Sequence, residues 1–592
     1  MNTQDLYPII RQWLSVRPSR QHFRALLDYL QQHLELLDED LISYIDTHLS
    51  DWPDEERMSN GFTFYNTPLF RLVRNLVFFR HLWRDDIPLS SLTHITHLNL
   101  SHNSVNQTLI DKLHTSPLLS HLRGLKYNGY GFKDHHIQAL TEVPNFQNIS
   151  SLELWNTGIT NAALDALAQS SHSHGLRELN LYNNKGFDDG GILSLSKSTT
   201  LTHLHALNIG YNNITMTGIQ ALCHSPAMKE LRTLKASNLK LGDPLTHAIA
   251  SSPHLTQLEM LELHNNGSTP ESLKPLLFSP NVQHLKNLQL FGNKLGPIGL
   301  EAIGTSPQIT KLEVLGLDNT GFWYGYEAWE EAHYDENTDT EDEDFEDIVH
   351  KAMLACFHSP NVRHVYKLSL ASNDIGLKDL EAIGTSTTMR SLRELDLSQT
   401  WLEREHCEQL AQSPVFGSLE RLTLWNCGLD DECMIALSQS PYMNALREIT
   451  FQENEITAKG CKVFVDAKPS AQLRKLHFAN NQLGDEGVLA IANAPHLSQL
   501  TELDVGINKV GNRGAIALAE SPYITELREL QLGDNDIGND GIFALAASPN
   551  IHKLKTLFLK WNPFDPSALH ALTQAIPNAE LEHDLDFDDD DE

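Results

Sequence analysis

The chain has 592 residues, 41% of them hydrophobic, and a formal charge of −33, an acidic excess that disfavours nucleic acid as a partner. Six cysteines with no CxxC pair and no even spacing read as reduced, buried small hydrophobes, which points to a cytoplasmic setting rather than a disulfide framework. Residues 1–13 include Asp5 and Arg11 and lack the apolar run of a signal peptide, and Leu69 to Trp83 is broken by Arg71, Arg74 and Arg80, which argues against a membrane span.

Residues 1–90 read as an N-terminal helical cap domain. Apolar spacing in Leu6-Ile9-Ile10-Leu14, Phe23-Leu26-Leu27-Leu30-Leu34 and Leu41-Ile45-Leu49 predicts amphipathic helices, and Leu69 to Trp83 reads as one more. A repeat array needs such a cap over its first exposed unit; the alternative is a docking module presenting Arg71, Arg74, Arg80 and Arg84.

From residue 91 the chain repeats itself. Leu500, Leu503, Val505, Asn508 and Val510, followed by a small-residue helix and Ser521-Pro522, return as Leu527, Leu530, Leu532, Asn535, Ile537 and Ser548-Pro549, a period of about 27. Seventeen such units run from Asn103 to Asn562, one step being 28 and one 53. The two leucines flanking each strand residue point inward by the period of two. The recurrent Asn stands where the backbone leaves the strand, and its amide can bond the freed groups of the adjoining coil. Tyr130 and Leu239 at that position should interrupt this ladder. Asp485, Asn512 and Asn539 stand where helix N-caps are expected, and Ser-Pro stops each helix.

Strand, turn and helix at this length resemble the ribonuclease-inhibitor type of leucine-rich repeat, and the Leu-Ala-x-Ser-Pro-x-Leu phrase is similar to that of bacterial members. The resemblance implies an α/β solenoid, a horseshoe with its parallel sheet on the concave face and helices on the convex face. Leucine-rich repeats 1–9 then span residues 91–322. An acidic insertion occupies 323–348, within the long step between Thr320 and Asn373, and is expected to be mobile. Repeats and a C-terminal cap helix fill 349–576, and 577–592 form an acidic disordered tail. Twelve acids lie in Glu327–Asp347 and nine in Glu580–Glu592, so the remaining 56 acids and 44 bases leave the body at −12. Protonating all thirty histidines would bring the whole chain from −33 to −3, removing most intermolecular repulsion in mild acid.

Catalytic and metal motifs are weak. Asp335, Asn337, Asp339, Glu341 and Glu346 match calcium-loop offsets, but Thr340 replaces the turn glycine and Asp342 the apolar anchor, so a solvated acidic loop is the better reading. His172 with His174, and Asp134-His135-His136, lack a third ligand and read as surface histidines. With no phosphate loop and no GxSxG, and no further domain of the kind found in leucine-rich ubiquitin-ligase effectors, the chain reads as a non-enzyme needing neither cofactor nor metal.

What remains is the inner face. Residues between and beyond the leucines place Trp155, Tyr182, Tyr211, His264, Phe291, Asp318, Trp425 and Trp561 there as candidate partner-binding residues, since exposed aromatics are costly unless used. Glu153, Glu262, Asp318, Asp396, Asp504 and Asp534 on the same face favour a basic protein partner. The expectation is an interaction scaffold, with inhibition of its partner as one form of the role. A second expectation comes from resemblance to the Ran GTPase-activating protein family, which has such repeats followed by an acidic tail; a third is an exported effector that engages a host protein.

Overall fold

The computed structural model describes residues 3–15, 18–60, 68–77, 92, 94–101, 113, 116–129, 131–322, 345–467, 471–577 and 579–584. They form two compact units: Met1–Asn266 with Ser279–His284, and Gly267–Phe278 with Leu285–Glu592.

The first unit opens with three helices, α1 (Thr3–Leu14), α2 (Arg20–Gln31) and α3 (Glu39–His48). Ser19 and Asp38 cap α2 and α3 through side-chain acceptors, and Leu26, Leu27, Leu30, Leu41 and Ile45 are fully buried. Strand pairing begins well before residue 91. Met58–Asn60 lies parallel to Asn75–Val77, which in turn pairs with His97–Asn99. This corrects the helix expected over 69–83: Pro68–Leu72 is a short 3-10 turn and Asn75–Val77 a strand, while 78–83 lie outside the described residues. Cross-strand pairing on both sides outweighs the local apolar period. Arg71 and Arg74 are not free for docking. Arg71 pairs with Glu39, and Arg74 binds Asp46 at 2.8 Å, a carboxylate also held by the buried Arg57. These bonds tie α3 to the first turns of the sheet; Arg80 and Arg84 lie outside the described residues.

From there each repeat adds one short parallel strand, in register, through Met260–Glu262 in the first unit. In the second unit, strands run from Asn287–Gln289 to Glu580–Glu582 in the same manner. The long step leaves register intact: Leu315 pairs with Leu368, and the helix Phe345–Phe357 resumes the repeat. Residues 323–344 lie outside the described residues, and with them all of the calcium-loop pattern except Glu346, which pairs with Lys378. At the other end the sheet does not stop at residue 576. After the helix Pro566–Ala575, Glu580–Glu582 adds a strand beside Thr556–Phe558, so the segment expected to be disordered from 577 begins with ordered structure.

Three hydrogen-bond columns stack the coils. In the first, the buried Asn184 accepts from the backbone N–H of Thr157 and Gly158 at 2.8 and 2.9 Å and donates to the carbonyls of Leu154 and Leu181. Asn266, Asn454, Asn481, Asn508 and Asn535 repeat this pattern. Cys427 takes part as well, its thiol donating to the Leu397 carbonyl at 3.1 Å. At Leu239 only the backbone N–H joins the column, bonding Asn266, and Tyr130 lies outside the described residues.

The second column corrects the expected N-caps. Asp485 and Asn512 sit inside or at the start of their own helices and cap the next repeat instead. Asp485 accepts from Gly511 and Gly514, and Asn512 from Gly538 and Gly541, at 2.7–3.0 Å. Asn539 donates to Asp565 and accepts from its N–H in the same way. The glycines are required by the close approach: a Cβ at Gly514 or Gly541 would stand 2.9 or 2.8 Å from the capping oxygen. In the third column the serines of the Ser-Pro pairs from Ser225 onward donate to the last carbonyls of the previous helix, as Ser521 does to Ala492 at 2.5 Å. Orphaned helix-end groups are thus satisfied partly between neighbours, alongside caps within a repeat such as Thr160 on the Ala162 N–H and Asp430 on the Cys433 N–H.

Candidate functional site

Along each strand the leucines go inward and their neighbours outward. In Ser151–Trp155, Leu152 and Leu154 are fully buried while Ser151, Glu153 and Trp155 are half-buried on the open face. One residue further the backbone turns left-handed in every such repeat: Asn156 (φ 57°), Asn183, Tyr211, Asn238 and Asn265 in the first unit, then Asn319 through Trp561 (φ 61°) in the second. Asn tolerates these angles because its short amide bonds locally; bulky residues do not. Sequence reasoning groups Asn156, Asn183, Tyr211, Asn265, Asn426 and Trp561 with the inner face but misses their left-handed backbone, although the frequency of Asn there, with Gly292 in the same place, is its signature.

In the first unit Tyr182 and Tyr211 stack with centroids 6.0 Å apart at 23°, and Lys185 Nζ lies 4.1 Å from the Tyr211 ring centre. Gly210 makes the stack possible, since an added Cβ would meet the Tyr182 ring at 3.3 Å and a backbone oxygen at 2.9 Å. Asn183 donates to the Asn156 side chain at 3.2 Å. Trp155 is half-buried one strand before Tyr182, and His264 stands 3.5 Å from Glu262. The open face of this unit also has two hollows. A cleft of about 560 Å³ runs from Arg20 and Trp52 past Asn75, His97 and Lys126 to Arg177, and an adjoining one of about 280 Å³ lies over Asn180, Ala206, Asn208 and Thr233. Two acids expected to attract a basic partner are already neutralised, Glu153 by Lys126 at 2.8 Å and Glu262 by Lys235 at 3.1 Å.

The second unit fills its face with charge instead. Glu394 is 3.3 Å from both Lys367 and Arg421, Arg421 is 2.9 Å from Glu448, and Lys475 pairs with Glu502, all at the same position of successive strands. A hydrogen bond with His477, opposed by burial and aided by Lys475, holds the Glu502 carboxyl down at about 2. Asp318 accepts from Ser369 and the Ala371 N–H, and Asp396 from Ser398; burial nonetheless pushes Asp318 above the usual range. Asp504, likewise raised by burial, accepts from Gly506 and from Gln452 at 2.7 Å. Phe291 and Trp425 are half-buried, and Trp561 is 64% exposed with its ring edge-on to Phe558 at 6.1 Å. The eight candidates therefore all lie on the open face or its left-handed edge, and the structure brings Tyr182 and Tyr211 into a direct stack.

Comparison with family models matches a leucine-rich repeat at residues 200–223, 283–304, 471–492, 496–519 and 524–546. The repeated unit is a leucine-rich repeat. Comparison with curated proteins gives no match. Among solved structures, an internalin from Listeria monocytogenes is 18% identical, covering 77% of this chain and 94% of its own, at a TM-score of 0.32. A leucine-rich repeat protein from Leptospira interrogans is 17% identical, covering 86% of this chain and 95% of its own, at 0.28.

The histidine pairs are occupied within these leucine-rich repeats. His136, expected at the surface, is buried and accepts from the Lys133 N–H at 2.9 Å, closing the first turn of its helix. His172 and His174 bond backbone carbonyls of Thr141 and Ser171. Among the described residues no helix is long and apolar enough to cross a membrane.

Proposed function

We propose that this leucine-rich repeat chain is a non-enzymatic scaffold that holds a protein partner on the open face of its sheet, anchored by Trp155, Tyr182 and Tyr211. The stacked tyrosines carry this reading, on a face that also holds two hollows: Tyr182 is half-buried and Tyr211 is 39% exposed. His264, Phe291, Asp318 and Trp425 extend the same surface along later strands, and Trp561 stands at its left-handed edge. A strand and helix in each repeat of about 27 residues support the ribonuclease-inhibitor type. Six buried, unpaired cysteines support a reducing, cytoplasmic setting. The carboxylates of the face are mostly bonded within it, so a preference for a basic partner rests on acids at its edge.

The test is affinity capture from native extract with the full chain and with Trp155→Ala plus Tyr182→Ala. The double variant should melt like the wild type and lose the proteins the wild type retains. An unchanged set of captured proteins would remove the reading's support.

A further inference from the structure

The left-handed edge of the second unit collects exposed side chains that the repeat pattern does not require. Between Asn373 and Asn562, the residues on either side of the buried column position form this edge. At the residue before the column, Ser372, Gln399, Asn426 and Asn480 suit the backbone. Ile507 (φ 54°) and Trp561 (φ 61°) hold the same angles with side chains that resist them, and they stand 46% and 64% exposed. Trp401, on the same edge, is 70% exposed, its ring lying over Gly428, where an added Cβ would stand 2.8 Å from it. Strain and exposed apolar area coincide at Ile507 and Trp561.

The charges of this edge are equally one-sided. Asp374, Glu453, Glu455, Asp534 and Asp536 are all exposed, none of them ion-paired among the described residues, and Lys509 is the base among them. Next to the edge, Ala479 and Gly506 leave the strand backbone without large side chains. Apolar anchors interspersed with acids, along a line with a bare strip beside it, match one kind of occupant. We propose that this edge docks an extended segment of a partner protein in which basic residues alternate with apolar ones. Acids of this density repel anionic lipid, nucleic acid and a second copy of this acidic chain alike. From Trp401 to Trp561 is six repeats, about 29 Å at the usual ~4.8 Å between strands, or roughly nine residues of extended chain. The inference rests on the scaffold reading but uses a surface distinct from the Trp155–Tyr211 face.

The test uses three labelled nine-residue peptides, alternating Lys-Leu, Glu-Leu and Lys-Ser, with binding to the full chain followed by fluorescence anisotropy. Lys-Leu should bind, Glu-Leu should not, and Lys-Ser should bind at least tenfold more weakly. Ile507→Asn with Trp561→Asn should weaken Lys-Leu binding about tenfold or more, as should Glu453→Gln with Asp534→Asn. The Asn substitutions install the residue that other repeats carry at this position, so misfolding does not account for a loss. Failure of Lys-Leu to bind, equal binding of Lys-Ser, or indifference to the edge variants overturns the proposal. Loss of binding in Trp155→Ala with Tyr182→Ala also overturns it, placing the peptide on the sheet face and leaving the scaffold reading standing.

Discussion

The open faces of the two units are built on the same strands and put to opposite uses. In the second unit Lys367, Glu394, Arg421, Glu448, Lys475 and Glu502 alternate in sign from one coil to the next, so each charge finds its partners inside the sheet. In the first unit the corresponding positions hold Gly124, Ser151, Glu178, Ala206 and Thr233, which are mostly short and leave clefts. A face that satisfies its own charges gains little from a partner, because a partner must first displace those pairs. A hollow face with partly exposed rings gains more. The repeat fixes where side chains point, and the choice at the free positions decides which stretch is available for binding.

The largest expected effect tests what the two units share. Replacing Asn184 with Leu removes bonds to two backbone N–H groups and two carbonyls in the buried column. Each buried group left unpaired costs about 1–3 kcal/mol, so a loss of at least ~3 kcal/mol is expected. Asn508→Leu in the second unit should cost a similar amount. Hydrogen exchange of the strands around each site would show it, and a large loss in one unit alone would mean that the column does not carry both.

The intermediate effect belongs to the second unit. Glu502 titrates near 2 when folded against an ordinary 4.5, a shift worth about 3 kcal/mol by linkage and about 2 kcal/mol after allowing for the partial exposure of Lys475. Because its folded value is depressed, that stabilisation is fully present above pH 4.5 and lost as pH falls toward 2. Glu502→Gln should therefore lower the urea midpoint clearly at pH 6 and by less than half as much at pH 3. A pH-independent difference would show that the ladder is not electrostatic.

Much of this architecture is legible in the sequence because a few residue types have one good use each. Leucines at period two have to face inward, and an amide at a strand exit has to find backbone partners, so the sheet and the Asn column follow. Asp485 and Asn512 are legible as caps but not as caps of the next repeat, since the choice between own and neighbouring N–H groups is made by coil spacing. Leu69 to Trp83 misleads because its periodic arginines suit a helix, while the strand at Asn75–Val77 depends on partners found at 58–60 and 97–99. The charge ladder of the second unit is visible only when positions one period apart are compared, and the edge formed by Trp401, Ile507 and Trp561 only when backbone angles are known.

The smallest expected effect is the most diagnostic for the first unit. Tyr211→Asn removes a stacked ring, worth about 0.5–1.5 kcal/mol beyond burial, and a cation–π contact with Lys185 worth about 0.5–1 kcal/mol at an exposed site. It also relieves a tyrosine held at φ 58° in favour of the residue that most other repeats of this unit place there, a gain on the order of 1 kcal/mol. These contributions nearly cancel, so the melting temperature should move by no more than a degree or two while partner capture falls. A marked drop in stability would mean that the stack is there to hold the coils together. No measurable change in stability, with capture lost, would mean that the ring is kept in a strained conformation for what it contacts outside the chain.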